Sequence, residues 1–360
     1  MQIPIRNVWL LQLFASALYR SDGTALVAAE ENPEDLPRLV ARILADEVSH
    51  RLHTGLTVGF RESTRAVTRV RGRINVMTTE RHQLFKRGLV SCTFDEIVAD
   101  IPSNRLVRAA LERAAKLVPD EPRYRSLALQ LEAAGVHGPS PQLSVVPALQ
   151  RQRLLARDRL MLAAAELLLT LVIPTTDDGN KLLPLPSLED RYMRRLFEHA
   201  TFGLYSHRLA PQGWDVARGE RQNWQIERAS AGMLEIFPSM QLDIVLRSPA
   251  TKDSAARKVV IDTKFTAITK PGFYRAETLS STYVYQIYSY LKSQEGIGEG
   301  PKAEGLMLHP SVGEEVDEEV VIQGHRIRFA TVDLTAEPGD FVQSFLRAVS
   351  AASRTENGGG

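Results

Sequence analysis

One stretch constrains this chain more than any other: Val259-Val260-Ile261-Asp262-Thr263-Lys264-Phe265. Its β-branched start favours a strand. Residues two apart share a strand face, so Asp262 and Lys264 point one way and Ile261, Thr263 and Phe265 the other. A carboxylate and an ammonium at the end of so apolar a run are costly to bury unless they pair or have a task. Such flanks suit a strand inside a sheet; an exposed Asp–Lys pair on an edge strand is the plainer alternative. Leu242-Asp243-Ile244-Val245-Leu246 is a second apolar run holding one acid. If the two runs pair antiparallel, Asp243 and Asp262 converge at one point. Two oxygens from different strands are a usual minimum for a hard cation such as Mg2+, which keeps several waters of its own.

With 360 residues the chain has room for two or three domains and needs no disulfide or metal staple to fold. A formal net charge of +1 excludes a uniformly basic nucleic-acid coat but permits a local basic face. Such a face is present in sequence. Arg61, Arg65, Arg69, Arg71, Arg73, Arg81, Lys86 and Arg87 stand against only Glu62 and Glu80. They are candidates for contact with phosphates or with an acidic protein partner, a solvated strand face being the alternative. The single cysteine, Cys92, can form neither an internal disulfide nor a Cys-rich zinc site, which points to a cytoplasmic chain. The most apolar run, Leu160–Ile173, contains Glu166 and Thr170 and is too short for a bilayer, and the N-terminus lacks a signal-peptide pattern. None of the eight histidines has H-E-x-x-H spacing, and there is no G-x-S-x-G elbow and no G-x-x-x-x-G-K-[ST] phosphate cradle.

Periodicity predicts helices at Asn7–Tyr19, Leu36–Leu52, Ser103–Val118, Arg123–Ala134 and Val145–Ile173, with Ser103 or Asn104 as a cap, and strands within Thr57–Thr79. A polar turn at Asp177-Asp178-Gly179-Asn180 marks the domain boundary. Residues 1–174 then form an N-terminal docking domain of helices plus a basic β segment at 57–100, residues 175–352 a second domain, and 353–360 a flexible tail. The second half reads as a helix at Ser187–Phe202, strands at Trp224–Ala229, Met240–Leu246, Lys258–Phe265 and Gly305–His309, and a helix at Ser280–Ser293. One or two strands around Gly324 and a closing helix at Pro338–Ala352 complete it. The expected class is α/β (α+β overall), with a C-terminal α/β/α sandwich.

Asp243 followed by Asp262-Thr263-Lys264 resembles the PD-(D/E)XK nuclease motif. That resemblance implies that the two acids hold Mg2+ and that the lysine helps activate the attacking water. Glu189 resembles the acid that many such nucleases add from a leading helix, with Asp190 or a plain surface carboxylate as alternatives. Tyr285-Gln286-Ile287-Tyr288-Ser289-Tyr290 resembles the Gln/Tyr helix after the catalytic lysine and would put Gln286 near the scissile phosphate. The chain departs from the motif at Leu242, where proline is usual. Ile3-Pro4-Ile5-Arg6-Asn7-Val8-Trp9, Arg71-Gly72-Arg73-Ile74, Phe94-Asp95-Glu96 and Asn104-Arg105-Leu106-Val107 resemble McrC, the nuclease subunit of McrBC modification-dependent restriction systems. The resemblance runs over nearly the whole chain. It implies a DNA endonuclease subunit that docks on a hexameric AAA+ GTPase ring of McrB type, stimulates it, and cuts modified double-stranded DNA. GTP would be bound by that motor, not by this chain. A standalone restriction or repair nuclease, or a nuclease-fold scaffold that only regulates the GTPase, are the competing expectations.

Overall fold

The computed structural model describes residues 2–21, 26, 30, 32–152, 157–171, 182–184, 190–252, 255–271, 277–293, 295, 302–311 and 315–350. The chain divides into two compact units, Pro37–Thr170 and a second built from Met1–Leu36 together with Leu171–Gly360. This changes the expected 1–174 domain. The switch near 171 lies close to the expected boundary, but the first 36 residues belong with the C-terminal unit. Their composition explains why. Ile5–Ala15 is a helix in which Ile5, Val8, Leu10, Leu11, Leu13 and Phe14 are all buried, too apolar all round for a surface helix. Phe14 stacks on Phe341, and the Asn7 side chain donates to the carbonyls of Leu334 and Ala336. Gln2–Pro4 pairs antiparallel with Leu182–Pro184.

The C-terminal unit is built on a mixed six-stranded sheet. From one edge its strands are Asp317–Ile322, His325–Asp333, Glu304–Ser311, Lys258–Thr263, Ile244–Arg247 and Asp215–Arg218. The three middle members His325–Asp333, Glu304–Ser311 and Lys258–Thr263 run parallel, and the outer pairings are antiparallel. The Val259–Ile261 run is therefore interior, as its apolar flanks require. Helix Ser281–Lys292 covers one face, with Ile287 and Leu291 packed on Val245, Val260, Met307, Ile327 and Phe329. Helices Asp190–Leu209 and Pro338–Val349 cover the other through Phe197, Tyr205, Phe341 and Phe345. This is the expected α/β/α sandwich.

Pro37–Thr170 contains helices Leu36–Thr54, Pro102–Leu117, Arg123–Ala133, Val146–Arg151 and Arg159–Thr170. A small antiparallel sheet, with Val90–Val98 between Gly59–Val67 and Arg73–Ile74, completes it. Three expectations change here. The long helix expected at Val145–Ile173 is two helices, because Gln152 is extended and Asp158, 1% exposed, ion-pairs with Arg51 at 2.7 Å and accepts a hydrogen bond from Thr57. Asn104 is no cap. Its buried amide donates to the Thr57 and Ala99 carbonyls, while Ile101 precedes the helix and Pro102 opens it. The strand expected through Thr79 gives way to a helix at Val76–Arg81. In the other unit, Trp224–Ala229 is irregular rather than a strand. The Trp224 indole donates to the Pro238 carbonyl and its ring packs edge-on against Phe237, which satisfies the segment without a ladder.

Candidate metal-dependent active site

The two acids meet because of strand register. Ile261 pairs with Ile244 and Val260 with Val245, so Asp262 and Asp243 are the next opposed residues. The ladder ends at this point: Met240–Gln241 pairs in another sheet, and Leu242 N–H donates to the Glu220 carbonyl. Freed from the ladder, Asp243 turns its carboxylate to the neighbouring strand, where Oδ2 accepts from Thr263 N–H at 2.9 Å and the Thr263 hydroxyl at 3.2 Å.

Asp262 is 1% exposed. Its Oδ2 lies 2.7 Å from the Lys264 ammonium, and its Oδ1 accepts from Gln286 Nε2 at 3.0 Å. Oδ2 accepts no well-directed hydrogen bond, so charge attraction holds that contact and lone-pair capacity is left over. Burial pushes the Asp262 carboxyl up to about 6, with the Asp243 charge adding to the rise and Lys264 opposing it. For Lys264, burial alone would lower the pKa, but the Asp262 and Asp243 charges more than reverse this, and the net shift is upward. The Lys264 stem lies beside Tyr283, with the ammonium 5.7 Å from the ring centroid. Gln286 also donates to the Tyr290 hydroxyl at 2.9 Å, so one helix turn fixes its amide.

Helix Asp190–Leu209 brings a third acid that the sequence reading missed. Glu198 is half-buried, and its pKa is raised by burial and then by the nearby Asp243 charge, with Asp262 adding and Arg218 and Lys264 opposing. Glu189, proposed from sequence for this role, lies outside the described residues. The signal that could have found Glu198 is its helical offset: it is two residues before the buried Ala200 and one after Phe197, on the turn that crosses the sheet. Among the described residues no group of three or more His, Cys, Asp or Glu is close enough to hold a metal. The available set is two carboxylates, Asp243 and Asp262, with Glu198 within electrostatic reach. That set fits a hard cation that keeps most of its waters: the donors are oxygens, and the buried Asp262 Oδ2 has spare capacity.

Elsewhere, Arg61, Arg65, Arg69, Arg71, Arg73, Arg81, Lys86 and Arg87 are all exposed. They share their surface with Phe60, Met77, Phe85 and Ile97, which are 62–83% exposed. Arg65 pairs with Glu96 and lies over Phe94. Cys92 is buried and free, and His50 and His53 are exposed at a helix end. Among the described residues no helix is long and apolar enough to cross a membrane.

The family described as McrBC 5-methylcytosine restriction system component matches residues 6–299. The chain belongs to the McrBC family. A curated McrBC relative, the type IV methyl-directed restriction enzyme EcoKMcrBC of Escherichia coli (strain K12), is 22% identical over 342 residues, 93% of this chain and 94% of the relative. Among solved structures, a refined half-complex from the tetradecameric assembly of Thermococcus gammatolerans McrB AAA+ hexamers with bound McrC matches 87% of this chain and 68% of that one. Its TM-score is 0.38 at 17% identity. A cryo-EM structure of the Thermococcus gammatolerans McrBC complex matches 36% of this chain and 40% of that one, with a TM-score of 0.30 at 21% identity. This chain is thus a McrBC restriction system component whose own strands bring Asp243, Asp262 and Lys264 together.

Proposed function

We propose that this chain is the Mg2+-dependent DNA endonuclease subunit of its McrBC system, with PD-(D/E)XK chemistry, and that it acts on modified double-stranded DNA together with an AAA+ GTPase ring. The observation that carries the reading is the opposition of Asp243 and Asp262 at the ladder's end with Lys264 at 2.7 Å. Asp243 and Asp262 would hold Mg2+, and the nearby Glu198 carboxylate would add attraction for the dication. The bound cation would make hydroxide available near neutral pH and offset charge on the phosphate. Lys264, 2.7 Å from Asp262, would orient the incoming water and offset charge on the phosphorane. Gln286 fixes the Asp262 carboxylate. The chain carries no phosphate cradle of its own, so GTP hydrolysis belongs to the partner. The exposed basic and apolar sheet at 57–100 is the surface we assign to that partner or to DNA, through Arg61, Arg65, Arg69, Arg71, Arg73 and Arg81.

The test is cleavage of a methylated duplex by the full chain, with Mg2+ or EDTA, with and without a McrB-type GTPase partner and GTP. Cutting that needs Mg2+, partner and GTP together supports the reading. Cutting by the chain alone makes it a standalone nuclease. GTPase stimulation with no cutting under any metal makes it a scaffold.

A further inference from the structure

Beside the acids lies a second cluster, of which the chemistry above uses only Glu198. Arg195, Glu198, His199 and Phe202 are spaced i, i+3, i+4 and i+7 along helix Asp190–Leu209, which puts them on one face. Two guanidiniums from other elements converge there. Arg218, at the end of the edge strand, has its Cζ 5.3 Å from the Phe202 ring centroid, and Arg20 has its Cζ 6.0 Å from the same centroid. Arg20, Arg195 and Arg218 are all exposed. His199 is held neutral, its pKa down to about 4, by burial first and then by the charges of Arg218, Arg20 and Arg195. Between Arg191 and Leu209 the helix carries one acid, Glu198, against Arg191, Arg194, Arg195 and Arg208, and Arg208 is paired with Glu30.

Three exposed guanidiniums gathered on one face attract a polyanion. The face also leads directly to the acids, because Arg218 pairs with Ile244 across the ladder and the next residue, Gly219, donates its N–H to the Asp243 carbonyl at 3.0 Å. From Arg195 to Phe202 the helix rises about 10 Å. One DNA strand presents a phosphate about every 3.4 Å of rise, so about three successive phosphates span that length. We propose that Arg195, Arg218 and Arg20 bind the backbone phosphates of the DNA strand next to the one that reaches Asp243 and Asp262. This rests on the nuclease reading and adds to it the path of the substrate.

The test uses the full chain carrying Asp262→Asn to prevent cutting, and a fluorescein-labelled duplex titrated over a KCl series. Arg195→Ala and Arg218→Ala should each lower the slope of log Kd against log salt by about 0.9, and together by about 1.8. Arg195→Lys should keep the slope, and Arg347→Ala, on the closing helix, should leave it unchanged. Tryptophan fluorescence in urea verifies that each variant is folded. An unchanged slope in the folded double variant, or no duplex binding by the parent, overturns the proposal. So does an unchanged slope accompanied by lost GTPase stimulation, which would make this face a protein contact. If wild type cuts DNA and the slope does not move, the phosphate track fails alone. If the slope moves and nothing is ever cut, the nuclease reading fails alone.

Discussion

Asp262 sets up a measurable pH dependence of stability. Its carboxyl is 1% exposed and titrates near 6 instead of 3.8, so the folded state binds this proton more tightly than the unfolded state does. A raised carboxyl contributes stability that is fully present below the unfolded pKa and is lost as pH rises through the folded one. A shift of about two units corresponds to about 3 kcal/mol, lost between roughly pH 4 and 7. Asp262→Asn removes the titration. The variant also breaks the contact with Lys264, but Lys264 stays cationic throughout this window, so that loss is a constant offset and drops out of the slope. Trp9, Trp214 and Trp224 all belong to the C-terminal unit, so their fluorescence in urea reports on the unit that holds Asp262. In EDTA, wild-type stability relative to Asp262→Asn should fall by about 3 kcal/mol from pH 4 to pH 7.5. Saturating Mg2+ should flatten the difference by stabilising the carboxylate. Parallel wild-type and variant curves in EDTA would refute the reasoning.

Gln286→Ala removes a hydrogen bond to a buried charge and should lower kcat for DNA cleavage by about 10- to 100-fold with little change in duplex affinity, read by steady-state kinetics. Glu198→Gln should raise the Mg2+ concentration for half-maximal cleavage by about tenfold, read by metal titration, since a neutral amide supplies less attraction to a dication. Gly203→Ala should destabilise the C-terminal unit by about 2 kcal/mol or more in a urea titration, because a Cβ there would lie 1.8 Å from the Phe14 carbonyl oxygen.

Much of the site could be read before the fold was known, and its legibility has a simple cause. Val259-Val260-Ile261 is too apolar for anything but an interior strand, and period-two alternation then fixes Asp262 and Lys264 on one face. Antiparallel register supplied Asp243. The offset of Glu198 from Phe197 and Ala200 puts it beside the buried face of its helix, but its role comes from that helix crossing the sheet, a long-range fact. The placement of residues 1–36 was hidden for the same reason. An all-round apolar helix announces that it is buried but not against what, and Phe14 finds Phe341 across the length of the chain. The break between Val146–Arg151 and Arg159–Thr170 depends on Asp158 meeting Arg51, a pairing separated by more than a hundred residues. Local periodicity carried straight through it.

The central claim is that Asp243 and Asp262 form one cation site beside a DNA phosphate. It is tested most directly by assembling the Asp243→Ala/Asp262→Ala double variant with its GTPase partner and assaying methylated duplex and GTP in the same tube with Mg2+. The account predicts GTP hydrolysis stimulated as by wild type and no DNA cleavage. Cleavage at an undiminished rate would contradict it.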